Sequence, residues 1–430
     1  MSARKRRALI HIGTEKTGSS SIQAALQALR APILGSGVAY PHSPGGRNHT
    51  RLALYAAGGD GANRGLARQE ERVSGRSAAR IDDWLPAALA EELDALPEDV
   101  HTVILSNEHL HSRVRSPEQI GKLKGLLDAF FDGYRIVAYL RRQDELAVSR
   151  YSTRLRTGGM DERILPAPSE GPVRNGYYDH AGLLDRWGEA FGRAALLPRI
   201  FARGELLEGD VVNDFLAQCG LPGLSPPERP ASGPMLQAAA QEFLRRFNLV
   251  FAPPGGGTRS RRLTRFLDRE FAGTGRLPTR AEAVAFYGLF AEGNERIRRE
   301  FFPDREGLFG TDFSRYPEVA GTTVPHEAVL EVARAAVAHL ESIPRRRLAN
   351  RPEEGAALEA ARTVVAELAS GTEGTAPPGR PRLGARPPAP DGVAPAREQR
   401  RADRGLAAAG RAPLSGAGSS RWRSAAPPGG

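Results

Sequence analysis

Residues 9–22 read Leu-Ile-His-Ile-Gly-Thr-Glu-Lys-Thr-Gly-Ser-Ser-Ser-Ile. An apolar, β-prone run ends at Gly13, and a short loop ends at Gly18. Ser19 or Ser20 can then cap a helix whose apolar positions are Ile22, Ala25, Leu26 and Leu29. That spacing makes one stripe of a helix lying on a sheet. Strand, glycine turn and helix start together form a place for an anion, because the first N–H groups of a helix have no intrahelical acceptor and its dipole favours negative charge there. The two glycines keep the G-x-x-x-x-G spacing of a Walker A loop. Ser19, however, stands where that motif has its lysine, and Lys16 lies in mid-loop instead.

Outward from this stretch the alternation continues. The run 101–106, HTVILS, is a short buried strand with a polar exit through Glu108 and His109. Ser116 and Pro117 mark the cap and first position of a helix. YRIVAYL at 134–140 is the next strand and DELAVSRYSTRLRTG at 144–158 the next helix. ALLPRIF at 195–201 and GDVVNDFLAQCGL at 209–221 add one more such unit. Strands alternating with helices predict an α/β fold, a three-layer parallel sheet flanked by helices. Residues 43–80 are rich in Gly and Arg without a clear period and read as a long surface loop. Residues 79–96 return to helix, with a proline near its start, and from about residue 233 the pattern is mostly helical.

With 40% hydrophobic and 26% charged residues, the 430-residue chain can bury a normal core. The single cysteine, Cys219, excludes an internal disulfide and sits in an apolar pattern that reads as packing. It fits a reducing, cytoplasmic compartment. No apolar run approaches the 18 or so residues of a membrane span, and MSARKRRALIHIG at the start reads as the approach to a strand, not as a signal peptide. The segment 371–430 holds ten arginines against four acidic residues, a net +6 of the chain's +10. Its ten prolines, eleven glycines and few large apolar side chains cannot offset the entropy of ordering, so disorder is expected there. The high pI therefore belongs mainly to the tail and says little about the folded part.

The GTEKTGSSS loop resembles the 5′-phosphosulfate-binding loop of sulfotransferases that use 3′-phosphoadenosine 5′-phosphosulfate (PAPS), roughly T-x-P-K-x-G-T-T. Lys16, Gly18, Ser19 and Ser20 match, with serine for threonine. Gly13 stands in place of the first threonine with Thr14 one place later, and Glu15 replaces the proline. A second element agrees. That family grips the 3′-phosphate with a strand-end Arg and a Ser eight positions on, and YLRRQDELAVSRY supplies Arg141 and Ser149 at that spacing. Arginine offers phosphate a planar fork of donors. NEHL at 107–110, the run 185–216 and NERIRREFFPDREGLF at 294–309 are similar to blocks of bacterial sulfotransferases of polysaccharide modification, so the likeness spans roughly residues 7 to 315.

The resemblance implies a P-loop-like sulfotransferase domain over 1–345, a helical extension or linker over 346–370 and the tail over 371–430. It implies PAPS as co-substrate, held by Thr14, Lys16, Thr17, Gly18, Ser19, Ser20, Arg141 and Ser149, and a carbohydrate or other hydroxyl acceptor. No metal is expected. Lys16 would stabilise the leaving phosphate. Glu108 or His109 would take the acceptor's proton, Glu108 being preferred. Glu108 can equally be a dipole-favoured carboxylate at a helix start, and His109 an ordinary core histidine. Asn48 and His49 could contact the acceptor, though a solvated loop pair is the preferred reading. Arg47 and Arg51 could serve an anionic acceptor. Arg296, Arg298 and Arg299 could reach the 3′-phosphate or an acidic glycan, an exposed basic helix face being the preferred reading. Two alternatives remain open: a P-loop kinase with a degenerate loop, and a non-catalytic nucleotide- or nucleic-acid-binding protein driven by its basic tail.

Overall fold

The structure, a computed structural model, describes residues 6–58, 63–226, 235–251, 260–319, 324–344, 346 and 350–370. Its centre is a five-stranded parallel sheet of β1 (Arg6–Gly13), β2 (Val38–Ala39), β3 (Thr102–Ser106), β4 (Phe131–Leu140) and β5 (Leu196–Ile200), in the order β2-β3-β1-β4-β5. β1 pairs with β3 in a register that sets His11 beside Ser106, and with β4 so that Ile10 faces Ile136.

The two-residue period of a strand splits each run between two cores. Ala8, Ile10 and Ile12 join Val103, Leu105, Ile136, Ala138 and Leu140 on one face, under the helices Thr50–Ala57, Ile81–Asp94, Pro117–Leu127 and His180–Phe191. Leu9, Ile104, Val137 and Tyr139 face the other way, under the helices Ser19–Ala28 and Val211–Gln218. Burial on both faces is why these strands read as unbroken apolar runs. His11 lies in this second layer, with Nδ1 2.8 Å from the Ser106 hydroxyl and its ring packed on Tyr139 and Phe215. Burial pushes its pKa down to about 3, so it stays neutral. Cys219 is buried in the same layer, and burial raises its pKa.

A third core lies beyond β4. The helix Gln143–Arg156 contributes Tyr151 and Leu155 to it. Phe243 and Phe247 from Ala238–Val250, Leu263 and Leu267 from Arg261–Glu270, Val332 and Ala336 from His326–Glu341, and Ala361 and Val364 from Pro352–Ser370 complete it. The expected tail, 371–430, lies outside the described residues.

Two local expectations are corrected. The first helix has no serine cap: Gly18, in the left-handed region at φ 80°, is the N-cap residue, and the Ser19 hydroxyl instead donates to the Thr14 carbonyl at 3.3 Å. Residues 43–80 are not one long loop either. They contain the helices Thr50–Ala57 and Arg64–Ser74 and a short 3-10 turn, Ala78–Arg80. The first of these buries Leu52, Ala53, Ala56 and Ala57. Its apolar stripe is only two turns long and is followed by glycines, too short a window for the helical period to stand out.

Candidate functional site

The sheet order places the chain's direction change at β1: the path from β1 runs to β2 and β3 on one side, then crosses to β4 and β5 on the other. In such a sheet the loops at the carboxyl ends of the central strands part and leave a crevice. The segments after β1, β3 and β4 are those that carry Lys16, Glu108 and Arg141.

The loop is built from its own side chains. Thr14 donates both its N–H and its hydroxyl to the Tyr139 carbonyl, each at 3.0 Å, and Thr17 donates to the Thr14 carbonyl at 2.6 Å. The hydroxyls of Thr14, Thr17 and Ser19 are therefore spent on shaping the loop, and these three residues are buried. Ser20 is exposed, and its carbonyl accepts from Arg47 Nη2 at 3.0 Å. Among the described residues, the backbone N–H groups from Lys16 to Ser20 have no protein acceptor. Lys16 and Gly18 both take positive φ, 66° and 80°, which turns successive N–H groups toward one point. A Cβ on Gly18 would lie 2.6 Å from Val211 Cγ1, so glycine is required there twice over.

Charges of both signs surround the loop. The Lys16 ammonium makes no hydrogen bond or ion pair with a described residue. Its pKa is lowered, first by burial and then by Arg156 and Arg141, with Glu15 and Glu108 opposing. Arg141 donates from Nη1 to the Lys16 carbonyl at 3.0 Å, while its Nε lies 3.3 Å from Glu145 Oε2 and its guanidinium lies over the Phe201 ring. The strand-end arginine and the loop lysine thus belong to one cluster. Arg142 is committed elsewhere: it forks onto Asp144 and donates to the Gly310 and Asp312 carbonyls. Ser149 lies on the same helix as Glu145, four positions on, half-buried and one turn further along that face.

Glu15, the unexpected residue of the loop, accepts from the Tyr177 hydroxyl at 2.7 Å and lies 3.7 Å from His109 Nδ1. Burial works to raise its pKa, but the nearby His109, Ser112 and His111 and the hydrogen bond from Tyr177 prevail and hold it well below the usual carboxylate range. His111 accepts from the Glu15 N–H at 3.4 Å and donates from Nε2 to the Tyr177 carbonyl at 2.9 Å. Burial brings its pKa down to about 4.

Glu108 sits at the β3 exit, its Cα 3.4 Å from where a Gly13 Cβ would be. Gln23 Nε2 donates to Oε2 at 2.7 Å, and Asn48 Nδ2 reaches both oxygens at 3.1 and 3.2 Å. The Asn48 oxygen accepts from Asn107 Nδ2, whose own oxygen accepts from the His109 backbone N–H at 2.8 Å. Gln23 and Asn107 were not singled out from the sequence. A glutamine among the buried apolar positions of the first helix was the available signal.

The same geometry shows where other polar residues are engaged. His49 is buried, accepting from the Ser106 N–H at 3.1 Å and donating to the Pro41 carbonyl at 3.0 Å, so both ring nitrogens are engaged within the fold. Arg51 is paired with Glu70 at 2.7 Å. Arg296 is paired with Asp185, and Arg298 and Arg299 with Glu295, at 2.7–2.8 Å. These three arginines lace their own helix and its neighbour instead of reaching the crevice. Arg315, unremarked in the sequence, lies 3.3 Å from Glu145 Oε1. Among the described residues there is no cluster of three or more His, Cys, Asp or Glu suited to a metal, and no helix long and apolar enough to cross a membrane.

No family profile matches the chain. A stretch of 174 residues is 29% identical to an uncharacterized protein of Archaeoglobus fulgidus, and the match spans 39% of this chain and 46%, about half, of that protein. Among solved structures, a sulfotransferase from Alicyclobacillus acidocaldarius is similar with a TM-score of 0.33 and 18% identity, over 54% of this chain and 86% of that one.

Proposed function

We propose that this chain is a PAPS-dependent sulfotransferase that moves a sulfuryl group to a hydroxyl, or an amine, of a carbohydrate-like acceptor. The observation that carries the reading is the 3.0 Å bond from Arg141 to the Lys16 carbonyl, which ties the strand-end arginine to the loop within the span of one nucleotide. The unsatisfied N–H groups and Lys16 would receive the 5′-phosphosulfate, and Arg141 with Ser149 the 3′-phosphate.

The acceptor oxygen attacks sulfur in line with the bridging oxygen. The sulfur–oxygen bond to the phosphate breaks, adenosine 3′,5′-bisphosphate leaves, and the acceptor proton passes to Glu108. Such a transfer depends on alignment and on stabilising the charge that grows on the leaving phosphate. Lys16 and the fixed amides supply that without reorganisation. The test is calorimetric titration with adenosine 3′,5′-bisphosphate without metal, against ATP with Mg²⁺. The bisphosphate is expected to bind, and Arg141→Ala or Ser149→Ala to weaken it by about tenfold or more. Preference for ATP with Mg²⁺ would instead favour a kinase.

A further inference from the structure

Glu145 is shared by guanidiniums from two distant parts of the chain. Its Oε2 lies 3.3 Å from Arg141 Nε at the end of β4, and its Oε1 lies 3.3 Å from Arg315 Nη1, beyond the helices that follow β5. Arg142 Nη2 lies 3.9 Å from the same Oε1, but its fork is filled by Asp144. The side chain of Glu145 is 25% exposed and that of Arg315 45%, so the cluster opens to solvent on the Arg315 side.

One carboxylate cannot neutralise both Arg141 and Arg315. The three groups together keep a charge of +1 at the end of β4, one helical turn before Ser149. A terminal phosphate, at about −1.5 to −2, more than offsets that excess. Arg141 has spent Nη1 on the Lys16 carbonyl and Nε on Glu145, which aims the rest of its fork. Arg315 is the second fork held beside it.

We propose that Arg315 is a further ligand of the donor's 3′-phosphate, and that Glu145 is the positioning residue that holds Arg141 and Arg315 on that one phosphate. This rests on the PAPS reading above and deepens it, since it makes the 3′-phosphate subsite a joint between the sheet domain's strand end and the later helical region.

The test compares adenosine 3′,5′-bisphosphate with adenosine 5′-phosphate, which lacks the 3′ group, by calorimetry on the full chain. Arg315→Ala is expected to weaken the bisphosphate about tenfold and leave the monophosphate unchanged. Glu145→Gln is expected to do the same, and the double variant to be no worse than either single one, because the two act as a unit. Arg315→Lys, which keeps the charge but not the fork, should fall between. Equal losses for both nucleotides, no loss, or tighter bisphosphate binding in Glu145→Gln would each overturn the inference. Wild-type protein binding the two nucleotides equally would overturn the PAPS reading itself.

Discussion

Gly18→Ala separates two costs that the structure assigns to one position. The first is backbone: a side chain at φ 80° sits in the left-handed region, at roughly 1–2 kcal/mol. The second is steric, because the new Cβ would lie 2.6 Å from Val211 Cγ1. Overpacking of that kind costs about 1–3 kcal/mol. Gly75 provides an internal control. It has φ 69° and nothing within 4 Å of its would-be Cβ, so Gly75→Ala carries the backbone cost alone. Denaturant midpoints should therefore place Gly18→Ala below Gly75→Ala by about 1–3 kcal/mol. Adding Val211→Ala should recover most of that gap, as a coupling and not an additive loss. The loop's amides should move with the strain, so adenosine 3′,5′-bisphosphate should raise the melting temperature of Gly18→Ala by less than that of wild type. Equal stability of the two Gly→Ala variants, or no rescue by Val211→Ala, would refute the claim that the loop is wedged against Val211.

Lys16→Ala should lower turnover of PAPS more than it lowers affinity for adenosine 3′,5′-bisphosphate, because the charge it answers grows only as the sulfur–oxygen bond breaks; equal losses in the two measurements would remove it from that role. Glu108→Gln should keep the amide contacts of its neighbours but lose about 10²–10⁴-fold in turnover with nucleotide affinity retained, as measured by single-turnover kinetics and titration. Glu15 carries a pH signature. Its folded pKa is depressed, so its stabilising contribution is present above the ordinary carboxylate value near 4.3 and lost as pH falls toward the folded value. Denaturation of wild type and Glu15→Gln should therefore differ most near neutral pH and converge on acidification; a gap that widens at low pH would reverse the assignment.

The layers were legible because the physics that sets them is local. β1, β3, β4 and β5 announce themselves as short apolar runs closed by Gly, Asn or Arg, and the Ser116 cap with Pro117 is realised as a full capping box with Gln119. The loop and Arg141 were legible as spacing. Less legible was what each polar group spends its donors on, since that depends on partners far along the chain. Thr14 meets Tyr139, Glu15 meets Tyr177, and Arg296 meets Asp185. Arg296, Arg298 and Arg299 looked free because an exposed arginine and an ion-paired one are written identically in sequence. Arg315 escaped notice because its partner, Glu145, lies 170 residues earlier.

The chain of amides at the β3 exit gives the two candidate bases different surroundings. A backbone N–H can only donate, so the His109 N–H fixes the oxygen of Asn107 toward itself. The Asn107 amino group must then face Asn48, and its acceptor there is the Asn48 oxygen. Asn48 is left with its own amino group toward Glu108, where Gln23 also donates. Both amide neighbours, Gln23 and Asn48, therefore present hydrogen to the Glu108 carboxylate. The His109 ring faces Glu15, which already accepts from the Tyr177 hydroxyl. The His109 ring is thus turned to that carboxylate, whereas Glu108 lies at the crevice near Lys16. His109 then contributes through its backbone N–H, which fixes the amide chain, and Glu108 remains the base we propose.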